Sequence, residues 1–245
     1  MASAPSDISS SGIDEVILRH ADLKRAKNNG WFFKTGPGEY GHGDAFLGLT
    51  VPNCREVAVR FSSLPPQGIQ RLLDDSVHEK RLIGLLILVG QYQAAAKNHD
   101  DPARKVIVDF YLKNATRGRI NNWDLVDSSA HKIVGDWLLD KDRSLLYSLA
   151  KSKSLWERRI AIVGTAAFIA KGQLKDTFAI AELLMQDTHD LIHKATGWML
   201  REAGKKDPRT LEKFLDRHAH HMPRTMLRYS IEKFDENKRK SYLTR

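Results

Sequence analysis

The 245-residue chain has a single cysteine, no long apolar run and no segment with the two-residue alternation of a half-buried strand. Cys54 alone can form neither an internal disulfide nor a cysteine-rich zinc site, which fits a reducing compartment. The longest unbroken apolar run, residues 85–89, is far shorter than the ~20 residues that cross a bilayer. Residues 1–12 are rich in Ser and Ala and lack the apolar stretch of a secretory signal. We therefore expect a cytoplasmic protein.

Positive charge is unevenly distributed along the chain, whose net charge is +9. Lys and Arg number 11 against 11 Asp and Glu over residues 1–100, and 28 against 19 over residues 101–245. The excess positive charge therefore lies in the C-terminal part. Such an asymmetry indicates a polyanionic partner, either nucleic acid or an anionic membrane surface. A solvated basic surface without a partner is the alternative.

Apolar residues recur at helical spacing along almost the whole chain. Pro52 suits the first turn of a helix, and Pro65-Pro66 marks the break before the next one. The pattern predicts helices over residues 13–27, 52–62, 78–96, 103–113, 122–139, 143–151, 155–171, 174–186, 189–204, 208–219, 223–234 and the last few residues.

Helix pairs with short breaks predict an all-α fold of stacked antiparallel helices. Trp123, Trp156 and Trp198 recur at intervals of 33 and 42 residues, near the ~40–47-residue period of HEAT or armadillo units. We predict HEAT-like helical repeats stacked into a right-handed curved solenoid with a concave basic groove. The predicted organisation is a flexible N-terminal tail over residues 1–12 and a single repeat domain over residues 13–245. An irregular helical bundle is the competing architecture.

Two signals in the sequence suggest ligands but lack the context that a ligand site needs. Gly36–Gly41 matches G-x-G-x-x-G, yet no strand precedes it and no helix opens on its last glycine. We predict a loop there and no cofactor. His218, His220 and His221 cluster at a predicted helix end, where adjacent side chains diverge, so we predict no metal site.

Three segments of the basic half combine tryptophan with charged residues. Trp123 and Asp127 are four residues apart, so a helix places them on one face about a turn apart. Residues 155–162 open an apolar helix that carries Arg158 and Arg159. Residues 192–202 form the third segment.

In the third segment Lys194, Trp198 and Arg201 follow i, i+4, i+7 spacing and form one stripe of a helix. Lys194 and Arg201 also have candidate ion-pair partners in Asp190 and Glu202. Tryptophans at helical spacing are most often core residues. From the pattern alone, a structural role for the stripe is favoured.

Two other tryptophans and the first acid of residues 122–127 have structural interpretations. Trp137 and Trp156 have apolar neighbours, which favours a place in the core. Asp124 stands at the start of its predicted helix, which suits a capping or helix-dipole role. Trp123 and Trp198 differ because each shares a helix face with charged groups.

These segments, in this order, resemble the AlkD-like DNA alkylation-repair glycosylases, a family of HEAT-like helical repeats. The specific parts are Trp-Asp-x-Val-Asp at residues 123–127 and Lys-Ala-x-Gly-Trp-x-Leu-Arg-Glu at residues 194–202. The resemblance spans nearly the whole chain from about residue 12 and includes residues 32–36, 46–52, 78–82 and 222–229.

The resemblance implies excision of positively charged N3- and N7-alkylated purines, of the 3-methyladenine and 7-methylguanine type, from duplex DNA. The reaction would be hydrolysis of the N-glycosidic bond, without metal or cofactor, as the first step of base excision repair in the nucleoid. The carboxylate that ends Trp-Asp-x-Val-Asp would be catalytic, here Asp127. The two tryptophans that flank the lesion's sugar match Trp123 and Trp198.

The resemblance also implies contacts with the DNA backbone. An arginine before the apolar helix holds a phosphate near the lesion and matches Arg159, with Arg158 beside it as the other possible match. We expect Lys194 and Arg201 to hold further phosphates. Some family members have tryptophan where this chain has Asn122.

The expected partner is alkylated duplex DNA, bound by a monomer. A non-catalytic helical-repeat protein that binds bent or branched DNA is the main alternative function. A protein-interaction scaffold is a third, although it gives no reason for the uneven charge.

Overall fold

The computed structural model describes residues 10–244, and over that range its regular structure is helical, with one isolated parallel bridge between Ala45 and Val77. The chain divides into two compact units at Ser129 and Ala130. The helices of the first unit are α1 (Ser10–Arg19), α2 (Leu23–Phe32), α3 (Val51–Arg60), α4 (Pro66–Asp74), α5 (His78–Lys97), α6 (Asp101–Thr116) and α7 (Trp123–Ala130), the last ending at the boundary.

The second unit begins with a π-helical turn, His131–Gly135, that directly continues α7. A single 3-10 turn, Leu184–Gln186, follows α11. The helices of this unit are α8 (Ser144–Ala150), α9 (Leu155–Gly164), α10 (Ala166–Ala170), α11 (Lys175–Leu183), α12 (Asp190–Lys206), α13 (Pro208–His218), α14 (Arg224–Ser230) and α15 (Glu236–Leu243).

Most predicted helices are confirmed to within a few residues, and local capping explains where several begin. The Thr50 hydroxyl accepts a hydrogen bond from the Asn53 N–H at 3.2 Å, and Asn53 Oδ1 accepts one from the Thr50 N–H at 3.1 Å. This reciprocal capping box starts α3, with Pro52 in its first turn. Asp100 and Asp207 cap α6 and α13 through their carboxylates, which accept hydrogen bonds from the Ala103 and Thr210 N–H groups, and each is followed by a proline in the first turn.

The prediction of one helix over residues 13–27 is wrong, because Asp22 interrupts it. The Asp22 carboxylate accepts a hydrogen bond from the Arg25 N–H at 2.9 Å and caps α2. The Asp22 N–H donates to Leu47 O at 2.8 Å, which draws its backbone away from helical pairing. A side chain that bonds to nearby backbone in this way favours a helix start over a helix interior.

The core of the first unit is built around α5. This helix is apolar on all sides over residues 82–89 and packs against α3, α4 and α6. Its fully buried side chains include Ile83, Leu85 and Ile87. A helix that is hydrophobic all round belongs at the centre of a helical layer, with amphipathic helices around it.

In the second unit α12 takes the central place and packs against α9, α13 and α14. Gly197 permits the close approach of α14, because a Cβ at this position would lie 2.5 Å from Met226 O and 2.5 Å from Tyr229 Cβ. The buried face of α12 includes Ala195, Met199 and Ala203, which leaves its remaining face for polar and aromatic side chains.

The prediction of a single domain over residues 13–245 stays a prediction beside the two compact units. Residues 1–9 of the predicted flexible tail lie outside the described residues, and α1 begins at Ser10, before the predicted end of the tail. Over residues 10–244 no helix is long and apolar enough to cross a membrane.

Candidate functional site

Helix α7 presents the Trp-Asp pair that the sequence singles out. Trp123 is its first residue and Asp127 lies one turn later, so the prediction that they share a helix a turn apart is confirmed. Both residues are half-buried, whereas Leu125 and Val126 between them are fully buried. The apolar pair anchors the helix, and the Trp-Asp face is the one that meets solvent.

The interpretation of Asp124 as only a cap is wrong, because its carboxylate is part of a buried network. Asp124 Oδ1 accepts a hydrogen bond from the Leu125 N–H at 2.9 Å, while Oδ2 lies 2.8 Å from His78 Nε2. On the other side of the imidazole, His78 Nδ1 lies 3.1 Å from Asp44 Oδ2. His78 is 2% exposed and sits between two carboxylates from distant parts of the chain.

Arg81 and Asn121 extend the network. Arg81 Nη2 lies 2.5 Å from Asp44 Oδ1, and Arg81 Nη1 donates to Asn121 Oδ1 at 2.8 Å. The buried amide of Asn122 also points to this cluster, since Nδ2 lies 3.4 Å from Asp44 Oδ2. The two residues that precede α7 are therefore held by the same charged cluster that contacts its first turn.

The electrostatics of the network favour a charged His78 and an ionised Asp44. Burial by itself lowers the pKa of His78, but its hydrogen bonds to Asp124 and Asp44 outweigh burial and raise the pKa to about 9. Burial tends to raise the pKa of Asp44, but hydrogen bonds from His78 and Arg81 hold it below its ordinary value. The cluster is a buried ion network in which each charge has a partner.

An aromatic stack supports the indole of Trp123 within the first unit. The Phe33 ring stacks on Trp123 with centroids 5.4 Å apart, and Phe32 meets the indole edge-on at 6.0 Å. Behind Phe33 lie Phe46 at 5.1 Å and His78 at 4.7 Å. The sequence pattern indicated no role for these side chains, although their segments carried part of the resemblance. Spacing gave no signal, because the rings that meet come from segments far apart along the chain.

Asp127 lies close enough to α6 for its charge to act on a buried tyrosine of that helix. Burial, together with the charge of Asp127, raises the pKa of the fully buried Tyr111 phenol, whose hydroxyl lies 3.0 Å from Ser129 Oγ. Ser129 in turn donates to Leu125 O at 2.5 Å. The helix turn that carries Asp127 is thus tied to α6 by a buried hydroxyl pair, which limits the freedom of the carboxylate.

In the second unit, the stripe of Lys194, Trp198 and Arg201 is confirmed as one half-buried face of α12. The predicted ion pairs also form. Lys194 Nζ lies 2.8 Å from Asp190 Oδ2, and Arg201 pairs with Glu202 at 3.1 Å and with Glu232. The cations of the stripe are therefore partly neutralised, while the indole between them stays accessible.

The neighbouring arginines of α9 have different surroundings. Arg158 Nε lies 2.6 Å from Asp187 Oδ2, and its Nη1 donates to the carbonyls of Ser152 and Lys153. Arg159 is only 5% exposed and its Nη1 donates to Leu191 O at 2.5 Å. Arg159 thereby joins α9 to the first turn of the helix that carries the stripe.

Two tryptophans predicted as core are half-buried instead. Trp137 follows the π-helical turn, and the Lys141 ammonium lies 4.1 Å from its ring centroid. Trp156 lies in the first turn of α9. Apolar neighbours in sequence were a poor guide, because in a helix only residues three or four positions apart share a face.

The segments that resemble ligand motifs have structural explanations. Gly36–Gly41 is a loop that follows helix α2, as predicted. The three histidines form a chain, with His221 contacting His218 at 3.4 Å and His220 at 3.1 Å, so their nitrogens do not converge. Within residues 10–244 no group of three His, Cys, Asp or Glu side chains could hold a metal ion.

Burial raises the pKa of the Cys54 thiol to about 12, so it stays protonated.

The candidate residues thus form two groups, each inside one unit. Trp123 and Asp127 share α7, whereas Lys194, Trp198 and Arg201 share α12, which Arg159 contacts. Comparison with known proteins gives these groups a context. The family model described as DNA alkylation repair enzyme matches residues 13–234, so the chain belongs to the DNA alkylation repair family.

A similar fold is known from a solved structure. A chain described as a predicted DNA alkylation repair enzyme from Enterococcus faecalis matches with a TM-score of 0.67 and 14% sequence identity, over 89% of this chain and 98% of that one. At this identity the likeness shows the fold. Comparison with curated proteins finds no match.

Proposed function

We propose that this protein is a DNA glycosylase that excises positively charged N3- and N7-alkylated purines from duplex DNA. The observation that carries the proposal is the half-buried Trp123–Asp127 pair on the solvent-facing side of α7, in a chain of the DNA alkylation repair family. The solved structure of similar fold is itself described as a predicted DNA alkylation repair enzyme.

The charge of the substrate explains why one carboxylate is enough. Ordinary glycoside cleavage uses two carboxyl groups, because the leaving oxygen must be protonated. An alkylated purine already carries positive charge, so the electron pair of the broken C1′–N bond neutralises the base as it leaves. Asp127 would stabilise the cationic sugar and accept a proton from the water that adds to C1′.

Aromatic faces would stabilise the same cationic sugar. Trp123 and Trp198 would each contribute a cation–π interaction of about 0.5–2 kcal/mol, with the larger value for a desolvated site. The stack of Phe33 behind Trp123 supports this role, because it leaves the indole little freedom to turn away.

The positive charges of the second unit would hold the DNA without reading its sequence. We propose phosphate contacts for Arg159, Lys194 and Arg201. The Arg159 guanidinium, which is 5% exposed and donates to Leu191 O, would have to turn outward to reach a phosphate. The ion pairs of Lys194 and Arg201 with acids of the same unit mean that phosphate would replace an existing partner. Binding would therefore exchange one anion for another, and its strength would depend on salt.

A non-catalytic DNA-binding protein is the second candidate, and the partly neutralised stripe of α12 is the observation that favours it. A pure binder, however, gains nothing from Asp127, a carboxylate that would face phosphates. A protein-interaction scaffold leaves the basic second half unexplained.

One experiment separates the three functions. The protein is incubated with duplex DNA methylated at guanine N7, and free 7-methylguanine and abasic sites are measured against a protein-free control. A glycosylase releases base in proportion to enzyme and time. A binder shifts the DNA on a gel without release, and a scaffold does neither. Absence of release above the control would overturn the proposed function.

A further inference from the structure

We propose that His78 is a positioning residue, which holds the first turn of α7 and the Trp123 indole in place through its simultaneous contacts with Asp44 and Asp124. This inference rests on the proposed function, in which Trp123 faces the cationic sugar. His78 itself is 2% exposed with both ring nitrogens engaged, so it cannot touch the DNA.

Two carboxylates at hydrogen-bonding distance from the two ring nitrogens favour a doubly protonated ring. A neutral imidazole carries one N–H and can donate to one carboxylate, whereas the imidazolium carries two. Here Nδ1 lies 3.1 Å from Asp44 Oδ2 and Nε2 lies 2.8 Å from Asp124 Oδ2. On loss of one proton, a ring nitrogen lone pair would face a carboxylate oxygen at one of these contacts.

Two routes connect His78 to the indole. The first is covalent, since Asp124 directly follows Trp123 in the first turn of α7. The second runs through Phe33, whose ring lies 4.7 Å from the imidazole and stacks on Trp123 at 5.4 Å. A shift of the imidazole would therefore displace the indole in two ways, through the backbone that joins Asp124 to Trp123 and through the Phe33 ring that stacks on the indole.

The charges around His78 come from each element packed against it. Asp44 belongs to the loop before α3, Asp124 to α7, and Arg81 lies one turn later on α5 itself, where its cation opposes a charged imidazole. The nearby Glu79 carboxylate accepts hydrogen bonds from the Leu47 and Gly48 N–H groups at 3.1 and 2.8 Å. The two carboxylates that touch the ring outweigh Arg81, so the imidazolium is the stable form at neutral pH.

Lys80, two residues after His78 on the same helix, offers a matched control. Lys80 Nζ lies 2.8 Å from Asp14 Oδ1 and 3.0 Å from Asp75 Oδ2, so it also bridges two carboxylates. Neither of these acids is on α7. Lys80→Met therefore removes a comparable bridge from α5 without touching the support of Trp123.

The test follows the indole Nε1–H resonance of Trp123, assigned with Trp123→Phe, in the full chain without DNA. In the wild type we expect this resonance to shift with the titration of the His78 ring nitrogens, at a midpoint of about 9. In Asp124→Asn, which keeps an acceptor but removes the charge, both midpoints should fall by about one pH unit or more. In Lys80→Met both midpoints should stay at their wild-type values.

The same variants are then assayed for single-turnover release of 7-methylguanine, with a protein-free control at each pH. The rate should decline at high pH with the midpoint of the Trp123 resonance, and that decline should begin at lower pH in Asp124→Asn. A Trp123 resonance that does not follow His78, or a midpoint that is the same in Asp124→Asn, overturns the positioning role. Absence of base release by the wild type overturns the proposed function instead, and the resonance alone then decides whether His78 positions Trp123.

Discussion

At the scale of single residues, His78 makes the stability of the first unit depend on pH. Its pKa is about 9 in the folded chain and about 6.5 in an unfolded one. A raised pKa means that the stabilisation is complete below the unfolded value and is lost as pH rises through the folded value. The contribution of His78 to the free energy of unfolding should fall by about 3 kcal/mol from pH 6 to pH 10.

Urea unfolding across this pH range checks the expectation. The difference in free energy of unfolding between wild type and His78→Gln isolates the histidine from other groups that titrate in the same range. That difference should shrink as pH rises. A constant difference would show that the pKa of His78 is the same in the folded and the unfolded chain.

Arg158 and Arg159 form a natural pair for testing the phosphate contact. Arg159→Ala should weaken binding of all duplex sequences alike and reduce the salt slope by about one. Arg158→Ala should leave the slope near the wild-type value, because the resemblance assigns the phosphate contact to Arg159. Binding isotherms at several salt concentrations measure both. A reduced slope in Arg158→Ala alone would assign the contact to Arg158.

Residue-scale prediction from sequence succeeded where the contact is local. Trp123 and Asp127 are four positions apart, so helical geometry alone places them on one face. It failed for His78 and Asp124, which are joined across 46 positions. No spacing rule brings two such residues together, because their contact depends on how α5 and α7 pack.

At the scale of elements, the crossing of α12 and α14 depends on Gly197. Gly197→Ala should lower the free energy of unfolding by about 1–3 kcal/mol, since its Cβ would meet backbone at Met226. Gly90 on α5 is exposed, and a Cβ added there would have no atom within 4 Å, so Gly90→Ala should raise stability by roughly 0.5–1 kcal/mol. Thermal or urea unfolding of the two variants gives the comparison, and equal effects would contradict the close packing.

The sequence pattern predicts where long buried helices begin and end, but it does not predict local departures from α-helical geometry. Long apolar segments such as α5 were predicted almost to the residue, because burial imposes a period that the sequence displays. The π-helical turn at His131–Gly135 was not predicted, because the sequence pattern indicates one continuous helix over residues 122–139. Gly135 comes so close to Gly164 that a Cβ would lie 2.2 Å from its carbonyl oxygen, and only the packed structure reveals this approach.

At the scale of the whole molecule, charge follows the division into units. Lys and Arg number 16 against 15 Asp and Glu over residues 1–129, and 23 against 15 over residues 130–245. The first unit, nearly neutral, holds the carboxylate proposed for chemistry. The second carries most of the positive charge and would hold the DNA backbone.

The most direct test of the proposed chemistry compares single-turnover release of 7-methylguanine by wild type, Asp127→Asn and Asp109→Asn at saturating protein. Asp109 is a carboxylate of α6 whose partner is the exposed Lys105, which makes it the matched control. We predict that Asp127→Asn loses release while its affinity for the DNA is retained, and that Asp109→Asn behaves as wild type. Undiminished release by a folded Asp127→Asn would contradict the account.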